Sequence, residues 1–128
     1  MKLEDYKPEI LYLYIFKNQN KIKTTLVNLD WIEDATFDKS YIVRLPFINY
    51  YDSNKNRLFL FDILIDDKNN NYYMIIYHKR LQFIAIDLKY KFNADNTNYQ
   101  MWYAEIYYKR VGSIYELPNL QKQFNIEV

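Results

Sequence analysis

The chain has 128 residues, half of them hydrophobic and 26% charged, with a formal net charge of +1. Such a chain is long enough to bury a real core, and its composition is that of a globular domain, which argues against disorder over most of its length. The near-neutral balance gives no global pull toward nucleic acid or membrane, and the lack of cysteine excludes a disulfide framework, a thiolate zinc site and a cysteine nucleophile.

The opening residues, MKLEDYKPEI, are acidic and polar, so no signal peptide is expected and residues 1–8 read as a flexible tail on a single domain spanning 1–128. Ile10–Phe16 is apolar throughout, too short to cross a bilayer and suited to a core strand. A cytoplasmic protein without a membrane partner is expected. Lys17–Asn20 then turns the chain into Lys21–Val27, where Ile22, Thr24 and Leu26 alternate with polar residues, predicting a hairpin. Asp30 is placed to cap one or two helical turns within Leu29–Phe37. Tyr41–Leu45 reads as a strand that Pro46 ends or marks as an edge.

Asp52–Asn56 is a turn, since Asn and Asp accept the left-handed backbone that the chain's single glycine cannot supply everywhere. Arg57–Ile65 reads as one strand, with Phe59, Phe61, Ile63 and Ile65 on one face and Leu58, Leu60, Asp62 and Leu64 on the other. Tyr72–His78, Leu81–Phe92 and Tyr99–Val111 follow, separated by short Asn/Asp or Lys-Arg turns. Gly112 ends the last of them, and Leu117–Phe124 predicts a short C-terminal helix with Pro118 near its start. The expected fold is mainly β: about seven antiparallel strands, a meander in the C-terminal half, and a partial barrel or sandwich with one or two short helices.

One repeat stands out. Tyr73–Arg80 reads YMIIYHKR and Tyr103–Arg110 reads YAEIYYKR, with five of eight positions alike. In a four-stranded meander these segments are next-but-one neighbours running the same way, roughly 10 Å apart. Lys79-Arg80 and Lys109-Arg110, joined by Lys55 and Arg57, then form one basic rim, with Asp66, Asp67 and Asp95 at the far end. Tyr77, His78, Tyr107 and Tyr108 lie beside that rim, and aromatic faces next to cations are the chemistry that recognises single-stranded nucleic acid. Isoleucine, lysine, asparagine and tyrosine together make up 57 of the 128 residues, and all four have A/T-rich codons. Genome composition therefore explains part of the tyrosine content, and position carries more weight than number.

Other candidates are weaker. His78 stands alone, and a lone histidine builds no multi-histidine metal site. Asp87-Leu88-Lys89 follows an apolar run, and an acid, a spacer and a lysine on a strand is a donor pattern of Mg-dependent nucleases, with Asp62 as the second carboxylate. The same spacing recurs in Asp5-Tyr6-Lys7, so the pattern is cheap here. Asp62 is otherwise expected on a solvated face or paired with Arg44. Trp31 and Trp102 read as core or interface anchors. One glycine makes no phosphate loop, and no cofactor is expected. The function read from these residues is non-enzymatic: a small protein that binds a macromolecular partner, first of all a protein. The format and A/T-rich composition suit a virus- or mobile-element-encoded inhibitor, by analogy with anti-CRISPR and immunity proteins. Single-stranded nucleic-acid binding is the alternative and an Mg-dependent nuclease the third reading.

Overall fold

The computed structural model describes residues 11–18, 21–28, 43–90 and 98–128. The expected tail, the helical turns over Leu29–Phe37 with Trp31, and Asp95 lie outside them. The described part is mainly antiparallel β, with nine strands in two sheets and no closed barrel. The first sheet has the order β2-β1-β3-β4, from β1 (Leu11–Asn18), β2 (Lys21–Asn28), β3 (Val43–Tyr51) and β4 (Arg57–Phe59). The second has the order β8-β7-β6-β5-β9, from β5 (Asp62–Asp66), β6 (Asn71–His78), β7 (Gln82–Asp87), β8 (Asn98–Gln100) and β9 (Lys109–Ser113).

The β1–β2 hairpin forms as its alternating pattern predicts, with Asn18 opposite Lys21. Pro46, by contrast, neither ends a strand nor lies on an edge. β3 runs through it, and Pro46 is the last residue of β3 to pair with β1, opposite Tyr12, before Phe47 takes up β4. The missing N–H thus falls where the strand changes partners, and its carbonyl still accepts from the Leu60 N–H.

β3 also serves two cores, one on each face. Leu45 and Phe47 pack with Leu13, Ile15 and Phe59, whereas Ile48 and Tyr50 pack with Leu58, Leu64, Tyr73 and Ile75. Odd and even residues of a strand point to opposite faces, so the two cores lie on either side of β3, and Asn49, at φ 63°, sits in an irregular stretch of the β3–β4 ladder. Arg57–Ile65 likewise is two strands, not one. The chain turns at Leu60-Phe61, with Phe61 at φ 64°, and passes from the first sheet to the second. Its alternation survives the corner: Leu58, Leu60 and Leu64 reach one core, while Phe59, Phe61 and Ile63 face away from it. Period-2 patterning marks faces but not breaks, so the corner was invisible in the sequence.

The meander expected in the C-terminal half exists as β5-β6-β7-β8, but its last strand is short. Tyr99–Val111 divides into β8, a helix α1 (Met101–Tyr107) and β9, and β9 returns across the sheet to pair with β5. The reason lies in Met101, Ala104 and Tyr108, whose i, i+3, i+7 spacing puts all three on the face of α1 that covers Tyr73, Ile75 and Ala85. The opposite face of the sheet is covered by the 3-10 turn Ile114–Glu116 and by α2 (Pro118–Gln123), the C-terminal helix expected from Pro118. Sheet two is therefore buried on both faces, which explains its near-continuous apolar strands.

Candidate functional site

The two Lys-Arg pairs are not on one rim. β6 begins at Asn71, opposite Asp66, and ends at His78, opposite Gln82, so Lys79-Arg80 leads out of the His78 end. Lys109 is paired with Ile65, beside Asp66, and so Lys109-Arg110 lies at the other end of the same sheet. The second copy of the repeat is mostly helix and reaches β9 only at its final two residues. The expected division into a basic end and an acidic end fails with it, because Lys109 makes an ion pair with Asp67.

Around the first pair, Tyr77 is 57% exposed and Lys79 and Arg80 are exposed. His78 Nδ1 accepts from the backbone N–H groups of Arg80 and Leu81 at 3.1 and 3.2 Å, so the histidine holds the β6–β7 turn. At the other end the aromatics are divided. Tyr108 is buried and stacks on Tyr73 with ring centroids 4.4 Å apart, whereas Tyr107 is half exposed and leans on Tyr103. Tyr108 is a core residue.

Arg110 faces inward. Its Nε and Nη2 donate to Asp62 Oδ2 and Oδ1 at 2.7 and 3.1 Å, and the Phe59 N–H donates to Oδ2 at 2.8 Å. Burial pushes the Asp62 carboxyl up to about 6, against the pull of Arg110. Arg110 is thus the partner of Asp62, and Arg44 instead lies over the Tyr12 ring at 5.0 Å. Asp52, a turn residue in the sequence, is a second buried carboxylate. Burial opposes its charge, but hydrogen bonds from the backbone N–H groups of Arg110, Asn56 and Asn54 and from the Asn56 side chain outweigh that and lower its pKa.

The pair Asp62 and Asp87 does not converge. Ile63, Met74 and Ile86 form one row across β5, β6 and β7, and the two acids step off it in opposite directions. Two strand spacings and two residue rises put them about 12 Å apart. Asp87 Oδ1 accepts from the Lys89 N–H at 2.9 Å and so caps the turn that follows β7. Among the described residues no three His, Asp or Glu side chains are grouped to hold a metal ion.

What the structure assembles is an apolar surface at the His78 end. α1 covers Tyr73, Ile75 and Ala85, Phe83 packs half-buried at the edge of that core, and its ring meets exposed Tyr77 edge to face at 5.3 Å. Beyond them a cleft of about 340 Å³ opens between Tyr50, Leu81, Phe83, Met101 and Trp102. Trp102 is 55% exposed and Ile106, one helical turn on, is 57% exposed. Lys79 and Arg80 flank this surface. Sequence reasoning found Tyr77 and the basic pair but left Trp102 undecided and missed Leu81 and Ile106. The helical spacing of Met101, Ala104 and Tyr108 was the available signal, since it turns Trp102 and Ile106 outward.

Compared with known proteins, the sequence matches no family model and no curated protein.

Proposed function

We propose that this chain is a small non-enzymatic binding protein that docks on a protein partner through the surface made by Tyr77, Leu81, Phe83, Trp102 and Ile106. One observation carries the reading: Trp102 stands half exposed at a cleft, next to further exposed apolar side chains. An indole left in water forfeits burial that a partner restores, and Trp and Tyr at a pocket edge are the residues on which binding energy concentrates. Exposed Lys79 on its margin favours a partner with an acidic group beside an apolar centre. The same mode of action, occupation of another protein's surface, suits an inhibitor encoded by a virus or mobile element.

This reading stands ahead of nucleic-acid binding along a Tyr/Lys/Arg rim because the two Lys-Arg pairs are a sheet length apart and Lys109 and Arg110 are engaged by Asp67 and Asp62. The test is affinity capture from the native host with the wild type and Trp102→Asp, after both are shown to melt at the same temperature. A partner held by the wild type and lost by the variant is expected. Identical captures would overturn the reading.

A further inference from the structure

The edge of β7 is open where the cleft beside Trp102 begins. β8 pairs with β7 at Ile84, Ala85 and Ile86, and after Gln100 the chain leaves the sheet as α1. Phe83 therefore lies past the end of β8, while on its other side it is paired with Tyr77 of β6. The three consecutive residues Gln82, Phe83 and Ile84 all line the cleft. Successive side chains of a strand point to opposite faces, so a cleft that meets three in a row runs along the strand's edge and not over one face.

The phase of the ladder decides which backbone groups that edge presents. The Ile75 carbonyl accepts from the Phe61 N–H at 2.9 Å, so the main-chain groups of Ile75 point to the β5 side of β6. Antiparallel ladders alternate, so Met74, Ile76 and His78 point toward β7, opposite Ile86, Ile84 and Gln82. Phe83, between Gln82 and Ile84, turns its N–H and C=O the other way, into the line of β8. Ala85 shares that phase and lies opposite Tyr99 of β8. Among the described residues no backbone bond from outside the ladders reaches the Phe83 groups. Gln82, at φ 65°, departs from extended geometry, so the open edge is short: the N–H and C=O of Phe83.

We infer that the partner enters this site as a short extended segment continuing the line of β8, its backbone paired with Phe83 and one apolar side chain set between Tyr50, Leu81, Met101 and Trp102. The inference rests on the docking reading above and adds how the partner is held. A sheet edge beside a pocket is the arrangement that recognises extended peptides, with backbone bonds giving affinity and the pocket selecting a side chain. A cleft of about 340 Å³ is at the small end of ligand sites and takes one side chain with its flanking peptide, not the face of a helix. Exposed Lys79, on the turn that leads into β7, complements an acidic residue next to the apolar one.

The experiment selects random phage-displayed peptides on the full wild-type chain, then titrates a synthetic copy of a selected peptide into the chain by amide NMR. Peptides with a large apolar residue beside an acidic one are expected, with saturable shifts at Gln82, Phe83 and Ile84. Methylating the peptide's backbone nitrogen at the apolar residue or its neighbour should weaken binding roughly tenfold, since it removes a ladder donor and leaves the side chains alone. Lys79→Gln, checked for folding by thermal melting, should weaken it roughly threefold, with a smaller difference in high salt. Unchanged affinity in that variant would remove the acidic residue from the proposal. Failure to select any peptide, shifts confined to other residues, a peptide bound as a helix, or indifference to methylation at every position would overturn it. Loss of capture by Trp102→Asp alongside any of those results would leave the docking reading standing, so the two failures are distinct.

Discussion

Arg110 and Asp62, 48 residues apart, join the entry of β9 to the entry of β5 through two hydrogen bonds of 2.7 and 3.1 Å around a fully buried carboxylate. Asp62 also accepts from the Phe59 N–H, so it anchors the corner where the chain leaves the first sheet for the second. Four consequences can be measured at this contact and its neighbours.

The two partners are not equivalent. Arg110→Met strands a buried carboxylate, and such a loss costs about 3–5 kcal/mol. Asp62→Asn leaves a guanidinium that still borders an open cleft and reaches water, so it should cost less. Denaturant unfolding at pH 8 compares them. The Arg110→Met deficit should shrink at pH 5, where the stranded carboxyl protonates.

Asp62 and Asp52 have opposite pH dependences. With its folded value raised to about 6 from 3.8, Asp62 binds its proton more tightly when folded, so its contribution is fully present below pH 3.8 and is lost as pH rises through about 6. Asp52 is lowered, so its contribution is present above pH 3.8 and is lost as pH falls through its folded value. Unfolding curves between pH 3 and pH 8 should show the wild type losing stability relative to Asp62→Asn as pH rises through that upper window. Relative to Asp52→Asn it should lose stability only on acidification below it. A flat difference against Asp62→Asn would show that the carboxyl is not raised.

Adjacent tyrosines separate core from surface. Tyr108→Ala removes a buried ring stacked on Tyr73 and should cost about 3–5 kcal/mol, the range of large aromatic truncations. Tyr107→Ala, half exposed, should stay within about 1 kcal/mol of wild type. Thermal denaturation of the two variants checks both.

Gly112 has φ 156°, and the residue before it, Val111, is the extra one in the register shift between β5 and β9. A Cβ there would meet Leu117 at 3.7 Å, ordinary contact, so the obstacle to a side chain is backbone strain and not space. Gly112→Ala is expected to cost about 1–3 kcal/mol in denaturant unfolding. A neutral result would mean that β9 relaxes its bulge.

Much of the fold was legible because its signals are local. The alternation of Lys21–Val27 marked a strand, the Asn/Asp clusters at Asp52–Asn56 and Asp66–Asn71 marked turns, and Pro118 marked a helix start. Misreadings came where one period is compatible with two structures. Tyr103–Arg110 matches Tyr73–Arg80 at five of eight positions, yet Ala104 and Tyr108 are spaced for a helix face. Pro46 looked like a stop because a proline lacks a donor, and whether a donor is needed depends on which strands lie alongside.

By itself the amino-acid sequence determined that this chain is mainly β, which residues favour turns, and that a few tyrosines and lysines stand near one another along the chain. Only the tertiary structure decided which of them meet in space. β9 returns to β5, and that single pairing separates the two Lys-Arg pairs, gives Arg110 to Asp62 and draws Tyr108 into the core. The physical reason is that strand partners are chosen by burial on both faces of a sheet, a condition set by α1 and α2 together with residues more than 40 positions away.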